Sequence, residues 1–143
     1  MVVDPQDVPE VGLSAGPYQT ELQTAFLSLA HQGQSEGRNT LASFFAHKAR
    51  QAGRNETISP ELAARWANAS PQLSRLEAPR SRLVLSLAQA RGKVAGRDAA
   101  QALAMFDCWL LYTEQVPYLA RATGCREHFS AVLRRLDEAL ESL

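Results

Sequence analysis

Ala104-Met105-Phe106-Asp107-Cys108-Trp109-Leu110-Leu111-Tyr112 and, beyond Val116-Pro117, Gly124-Cys125-Arg126-Glu127-His128-Phe129 decide how this chain is read. The two cysteines are the only ones in the sequence, and Val116-Pro117 falls close to midway between them. A residue followed by proline is a turn signal, because proline disfavours helical geometry in its predecessor and has no N–H to give. Two antiparallel helices joined there bring Cys108 and Cys125 to nearly the same height, where a bridge between their sulfurs is geometrically permitted. Such a bridge implies an oxidising compartment. Two other readings stay open at this point: buried free thiols, or a reactive pair in which Cys125 and His128 serve as zinc ligands or as a Cys–His dyad. The hairpin offers neither a fourth metal ligand nor a group to orient His128.

Outward from this hairpin the chain reads as helix after helix. Leu22, Ala25, Phe26, Leu29 and Ala30 recur at helical spacing, and Gly33 and Gly37 close that stretch. A second helix is expected over 38–52, with Leu41, Phe44, Phe45 and Ala49 on one face and Gly53 just past its end. Ser59-Pro60-Glu61-Leu62 has the form of a helix start, a capping hydroxyl followed by proline at the first position, for a short third helix through Trp66 to about Asn68. Ser70-Pro71 restarts in the same way, and Pro79 either kinks that helix or begins a new segment. Leu83, Val84, Leu87 and Ala88 then carry the apolar stripe to Gly92.

A fifth helix over 97–115 buries Ala99, Leu103, Phe106 and Leu110, and a last one from about Gly124 carries Phe129, Val132, Leu133, Leu136 and Leu140. No segment sustains the alternation of a strand. The expected fold is therefore all-α: a single bundle of about five to six mostly antiparallel helices with no sheet. Residues 1–17, with three prolines and two glycines, read as a flexible or extended lead-in, and 18–143 as one helical domain. Six helices in pairs also leave a helical solenoid open, although no internal repeat is present.

Composition narrows the function classes. Fifteen lysines and arginines balance fifteen aspartates and glutamates, giving a net charge of zero. This argues against a nucleic-acid module, which carries a basic surplus to neutralise phosphates. No run approaches the roughly 20 apolar residues of a membrane-spanning helix. The first residues, Met1-Val2-Val3-Asp4-Pro5-Gln6-Asp7, are acidic and proline-marked, so no signal peptide is expected within the sequence.

Residues able to carry chemistry are sparse. His31, His47 and His128 are not spaced as metal ligands on one helix face. No nucleophile–base pair, metal motif or phosphate loop appears, so no catalytic, cofactor or metal site is expected and the chain reads as a non-enzyme. Phe44, Phe45, Phe106, Trp109 and Phe129 read as core, with Trp109 beside the cysteine pair. Trp66, Tyr112 and Tyr118 are the candidate groove or partner surface, and a homodimer is compatible with them as an exposed patch. Arg75, Arg80, Arg82, Arg91, Arg134 and Arg135 read as solvated helix faces balanced by Glu77, Asp137, Glu138 and Glu141. Asn55-Glu56-Thr57 fits a glycosylation pattern in a loop.

The run Ala99-Ala100-Gln101-Ala102-Leu103-Ala104-Met105-Phe106-Asp107-Cys108-Trp109, with Thr113-Glu114-Gln115 and Cys125-Arg126-Glu127-His128-Phe129 after it, resembles a helical region found N-terminal to the peptidoglycan-binding domain of some bacterial OmpA-family envelope proteins. Phe44-Phe45-Ala46-His47-Lys48-Ala49, Pro60-Glu61 and Trp66 extend the resemblance over most of 22–143. It implies a helical fold, an envelope or periplasmic location and a Cys108–Cys125 pair. In those proteins the peptidoglycan contact belongs to a downstream α/β domain with no counterpart in residues 1–143, so cell-wall binding carries over to no residue. Gln34-Ser35-Glu36-Gly37 also stands where the pattern has an acidic, tryptophan-containing segment.

Two function classes follow. One is a non-catalytic envelope module, a spacer or a domain that docks an envelope protein partner, stapled by one disulfide. The alternative is a cytosolic helical adaptor or ligand-binding bundle with two buried free thiols and a cavity among Phe44, Phe106, Trp109 and Phe129.

Overall fold

The structure, a computed structural model, describes residues 2–9, 16–65, 74–113 and 119–143. Among the described residues there are five α-helices and no strand, the all-α class expected. None of these helices is long and apolar enough to cross a membrane. The contacts gather into two compact units, Met1–Ile58 and Ser59–Leu143, where the sequence reading had run 18–143 together without a boundary.

The first unit is a helical pair. Helix α1, Pro17–Ser35, opens with proline at its first position, where a missing N–H leaves no hydrogen bond unmade. Leu22, Phe26, Leu29 and Ala30 form its buried stripe, and Leu41, Phe45, Ala46 and Ala49 form that of α2, Asn39–Gly53. The Phe26 and Phe45 rings stack with centroids 6.3 Å apart. Between the helices Gly37 takes a φ of +72°, which glycine adopts without steric cost, and the Arg38 N–H donates to Gly33 O at 2.7 Å. The helices also approach closely at Gly33: a Cβ there would lie 3.1 Å from Ala42 N.

The lead-in is not wholly flexible or extended. Val3 is buried and its N–H donates to Ser43 Oγ at 2.7 Å. Asp4 accepts from Gln6 N–H at 2.9 Å and caps a 3-10 turn over Pro5–Asp7. Gln23 Nε2 donates to Pro9 O at 2.8 Å and to Ala49 O at 3.2 Å, so one buried amide ties the end of this segment to both helices. Prolines that break regular structure thus still leave a chain able to pack; the sequence shows the break and not the packing. Lys48, also buried, lays its Nζ over the Phe26 and Phe44 rings at 5.5 and 5.3 Å.

The second unit holds α3, Glu77–Ala90, α4, Gly96–Tyr112, and α5, Leu119–Glu141. Helix α3 begins with Pro79 in its first turn, where no intrahelical donor is needed, so Pro79 belongs to a new segment and kinks nothing. Residues 60–62 are not helical and only a 3-10 turn, Ala63–Arg65, follows, which departs from the helix expected to start at Pro60. The expected remainder of that helix and the restart at Ser70-Pro71 lie outside the described residues.

Helices α4 and α5 form the antiparallel hairpin. Ala99, Ala100, Ala102 and Ala104 are buried along α4, and these small side chains let the backbones come close. Larger groups fill the seam: Leu103, Phe106 and Leu110 from α4, Phe129, Val132 and Leu136 from α5. Helix α5 starts at Leu119, over a turn before the expected Gly124.

Helix α3 packs on both through Leu83, Ser86 and Ala90. Val84 and Leu85 are 39% and 64% exposed, and Ala88 is exposed, so the stripe read from Leu83 to Ala88 is only partly buried. Ser86 Oγ donates to Asp137 Oδ1 at 2.5 Å, Arg82 reaches Asp137 at 3.5 Å, and Arg135 pairs with Asp98 at 3.2 Å. Pairs this exposed contribute about 0–1 kcal/mol each and act mainly on register.

Candidate functional site

Cys108 lies four residues before the end of α4 and Cys125 six after the start of α5, so both sit one to two turns from the mouth of the hairpin. Their Cα atoms are 5.9 Å apart and the sulfurs are bonded. Both are buried, and neither remains as a free thiol. The disulfide reading of the pair is the one the structure shows; with both sulfurs in the bridge, neither cysteine is a free thiol, a metal ligand or a nucleophile in this form. His128 is exposed, as are His31 and His47. His47 Nδ1 accepts from Arg50 Nη2 at 3.2 Å.

Beside the bridge, Phe106, Trp109 and Phe129 pack on one another with centroids 5.6–6.1 Å apart. Phe44 belongs to the first unit, where it stands edge-on to Phe45. Trp109, next to Cys108 in the chain, is half-buried.

Asp107, completely buried, explains the other half of the Phe-Asp-Cys-Trp run. Its Oδ1 accepts from the Glu61 N–H at 3.0 Å. From the other side Arg80 donates Nε and Nη2 to Pro60 O at 3.2 and 2.9 Å, and Nε to Glu61 O at 3.0 Å. An acid on α4 and a base on α3 therefore satisfy the N–H and C=O groups of a short non-helical segment. Its polar backbone needs such partners because no helix ladder supplies them. Arg80, read from sequence as a solvated side chain, is in fact a backbone clamp, and Asp107 had no role assigned.

The groove residues fare differently. Tyr112 is 0% exposed, with the Arg121 guanidinium 5.5 Å from its ring centre, so it contributes to no exposed patch. Trp66 and Tyr118 lie outside the described residues. What the fold does form at the hairpin mouth is a cavity of about 260 Å³. Trp109 and Thr113 of α4 and Leu119, Thr123 and Arg126 of α5 line it, with Arg75 and Leu76 ahead of α3. Arg75 was read as a solvated face and Arg126 only as part of the Cys125 motif. No spacing rule joins residues fifty apart, and only the hairpin brings them to one cavity.

No group of three or more histidines, cysteines, aspartates or glutamates placed to hold a metal occurs among the described residues. These features define a helical, disulfide-stapled protein whose second unit carries a polar-rimmed cavity beside the staple. No family model, curated protein or solved structure matches the chain.

Proposed function

We propose that this chain is a non-catalytic module of the bacterial cell envelope, facing an oxidising compartment and acting as a spacer or as a docking domain for an envelope protein. The observation that carries the reading is the buried Cys108–Cys125 bridge across the α4–α5 hairpin. Structural disulfides persist where the surroundings are oxidising and are rare in reducing cytosol. The OmpA-family resemblance of the same hairpin points to the same compartment. The neutral charge balance suits a surface that meets protein rather than nucleic acid.

The non-catalytic part rests on what the motif residues do. Cys108 is consumed in the bridge and Asp107 in holding Glu61, so both of these groups of the Phe-Asp-Cys-Trp run are engaged in structure.

The test is the intact mass of natively expressed protein, alkylated in its own compartment with and without prior reduction. Alkylation of both thiols only after reduction, in an envelope fraction, supports the reading. Two thiols alkylated without reduction, or recovery in the cytosolic fraction, overturns it.

A further inference from the structure

We propose that the cavity at the mouth of the α4–α5 hairpin binds a small carboxylate with a short apolar body, which enters tail-first over Trp109. The cavity is about 260 Å³, just under the range of drug-sized pockets and equivalent to about nine waters at roughly 30 Å³ each. A molecule of similar bulk is a six-carbon chain with a carboxylate.

The lining divides by chemistry. Leu76, Leu119 and the Trp109 indole supply apolar surface, and Trp109 is held in place by Phe106 and Phe129 at 6.1 and 5.8 Å. A ring fixed in this way is a preformed platform rather than one that must be ordered on binding. Arg75 and Arg126 line the cavity with two cationic side chains, and Thr113 and Thr123 add hydroxyl-bearing ones. No aspartate or glutamate is among the described residues that line the cavity. Two arginines, with no acid among the described lining residues, favour a planar carboxylate, which accepts paired N–H bonds, over a neutral or cationic group.

The same arrangement explains why the site sits at this place in the fold. The bridge at Cys108–Cys125 clamps α4 to α5 one residue from Trp109 and from Arg126, so the stretches of helix that carry these two side chains are held next to each other. Arg75 comes from the segment that leads into α3, a separate part of the second unit. The cavity is therefore a tertiary feature. It lies outside the spacer or docking reading above and stands or falls without it.

The experiment is a titration of the full, oxidised chain with sodium hexanoate, followed through the Trp109 indole Nε1–H resonance, which Trp66→Phe assigns between the two tryptophans. The expected result is a saturable shift with Kd on the order of a few millimolar, as the size of the ligand dictates. Affinity falls about tenfold or more in R75Q/R126Q, because charge-assisted bonds are lost, while R134Q, an exposed arginine of α5 outside the lining, binds as the parent does. Hexan-1-ol binding as tightly as hexanoate overturns the charge recognition, and acetate doing so overturns the apolar half. No saturable shift, or one unchanged in R75Q/R126Q, overturns the site itself. Both substituted arginines are exposed, so the variant retains the fold, and an unchanged melting temperature verifies that.

Discussion

Cys108→Ser removes the staple of the second unit and should lower the melting temperature by an amount the structure dictates. The bridge spans a sequence separation of 17 and closes the hairpin loop. Confining a loop of about 16 residues in the unfolded state stabilises the folded one by roughly 3 kcal/mol in the chain-entropy model. Globular proteins unfold with about 2.1 cal/mol/K of entropy per residue near 60 °C, so 143 residues melting together give about 0.30 kcal/mol/K and a drop near 10 °C. If Ser59–Leu143 melts by itself, the smaller entropy of about 85 residues makes the drop about 17 °C. The size of the shift thus also reports whether the two units unfold as one.

Scanning calorimetry on parent and C108S, each refolded in oxidising buffer and in a phosphine reductant, separates the bridge from simple packing. The parent should fall to the temperature of C108S once reduced, and C108S should ignore the reductant. An equal gap between the two proteins in both buffers would refute the argument, because the loss would then belong to the buried sulfur's contacts and not to the cross-link.

Two further substitutions test the packing argument. Asp107→Ala leaves the Glu61 N–H without its acceptor and should cost about 1–3 kcal/mol in urea unfolding, whereas Asp107→Asn, which keeps an acceptor oxygen, should cost less. Equal losses for the two would show that the hydrogen bond to Glu61 is not what Asp107 contributes. Gly33→Ala sets a methyl 3.1 Å from Ala42 N and 3.3 Å from its Cα, with backbone on both sides and little room to yield. Overpacking of this kind typically costs about 1–3 kcal/mol, and a neutral or stabilising result would mean that α1 and α2 separate more readily than their contact implies.

Helical periodicity made the fold class legible, because a buried stripe at 3.6-residue spacing is a local property of the chain. It placed Leu22, Phe26 and Leu29, then Leu41, Phe45 and Ala49, and then Leu103, Phe106 and Leu110, all of them buried. It also brought Cys108 and Cys125 together, since a hairpin with one turn leaves few other registers. The pattern was weaker where the stripe was ambiguous. Val84 and Ala88 fit the spacing of α3 as well as Leu83 does, but only packing decides which side of a helix meets its neighbours, and these two face away.

What the sequence by itself determined was local: helix after helix, a turn between the cysteines and the pairing that this turn permits. Tertiary structure alone decided which polar groups meet. Asp107 and Arg80 hold the backbone at Pro60 and Glu61 across tens of residues, and Gln23 ties Pro9 to Ala49. Hydrogen bonds of this kind follow from where unsatisfied backbone is buried, and that place exists only once the helices have packed. Arg75 and Arg126 likewise line one cavity only once the second unit has folded. Tyr112 marks the same boundary: an aromatic at the end of a helix looks available in sequence, and its complete burial is set by what folds over it.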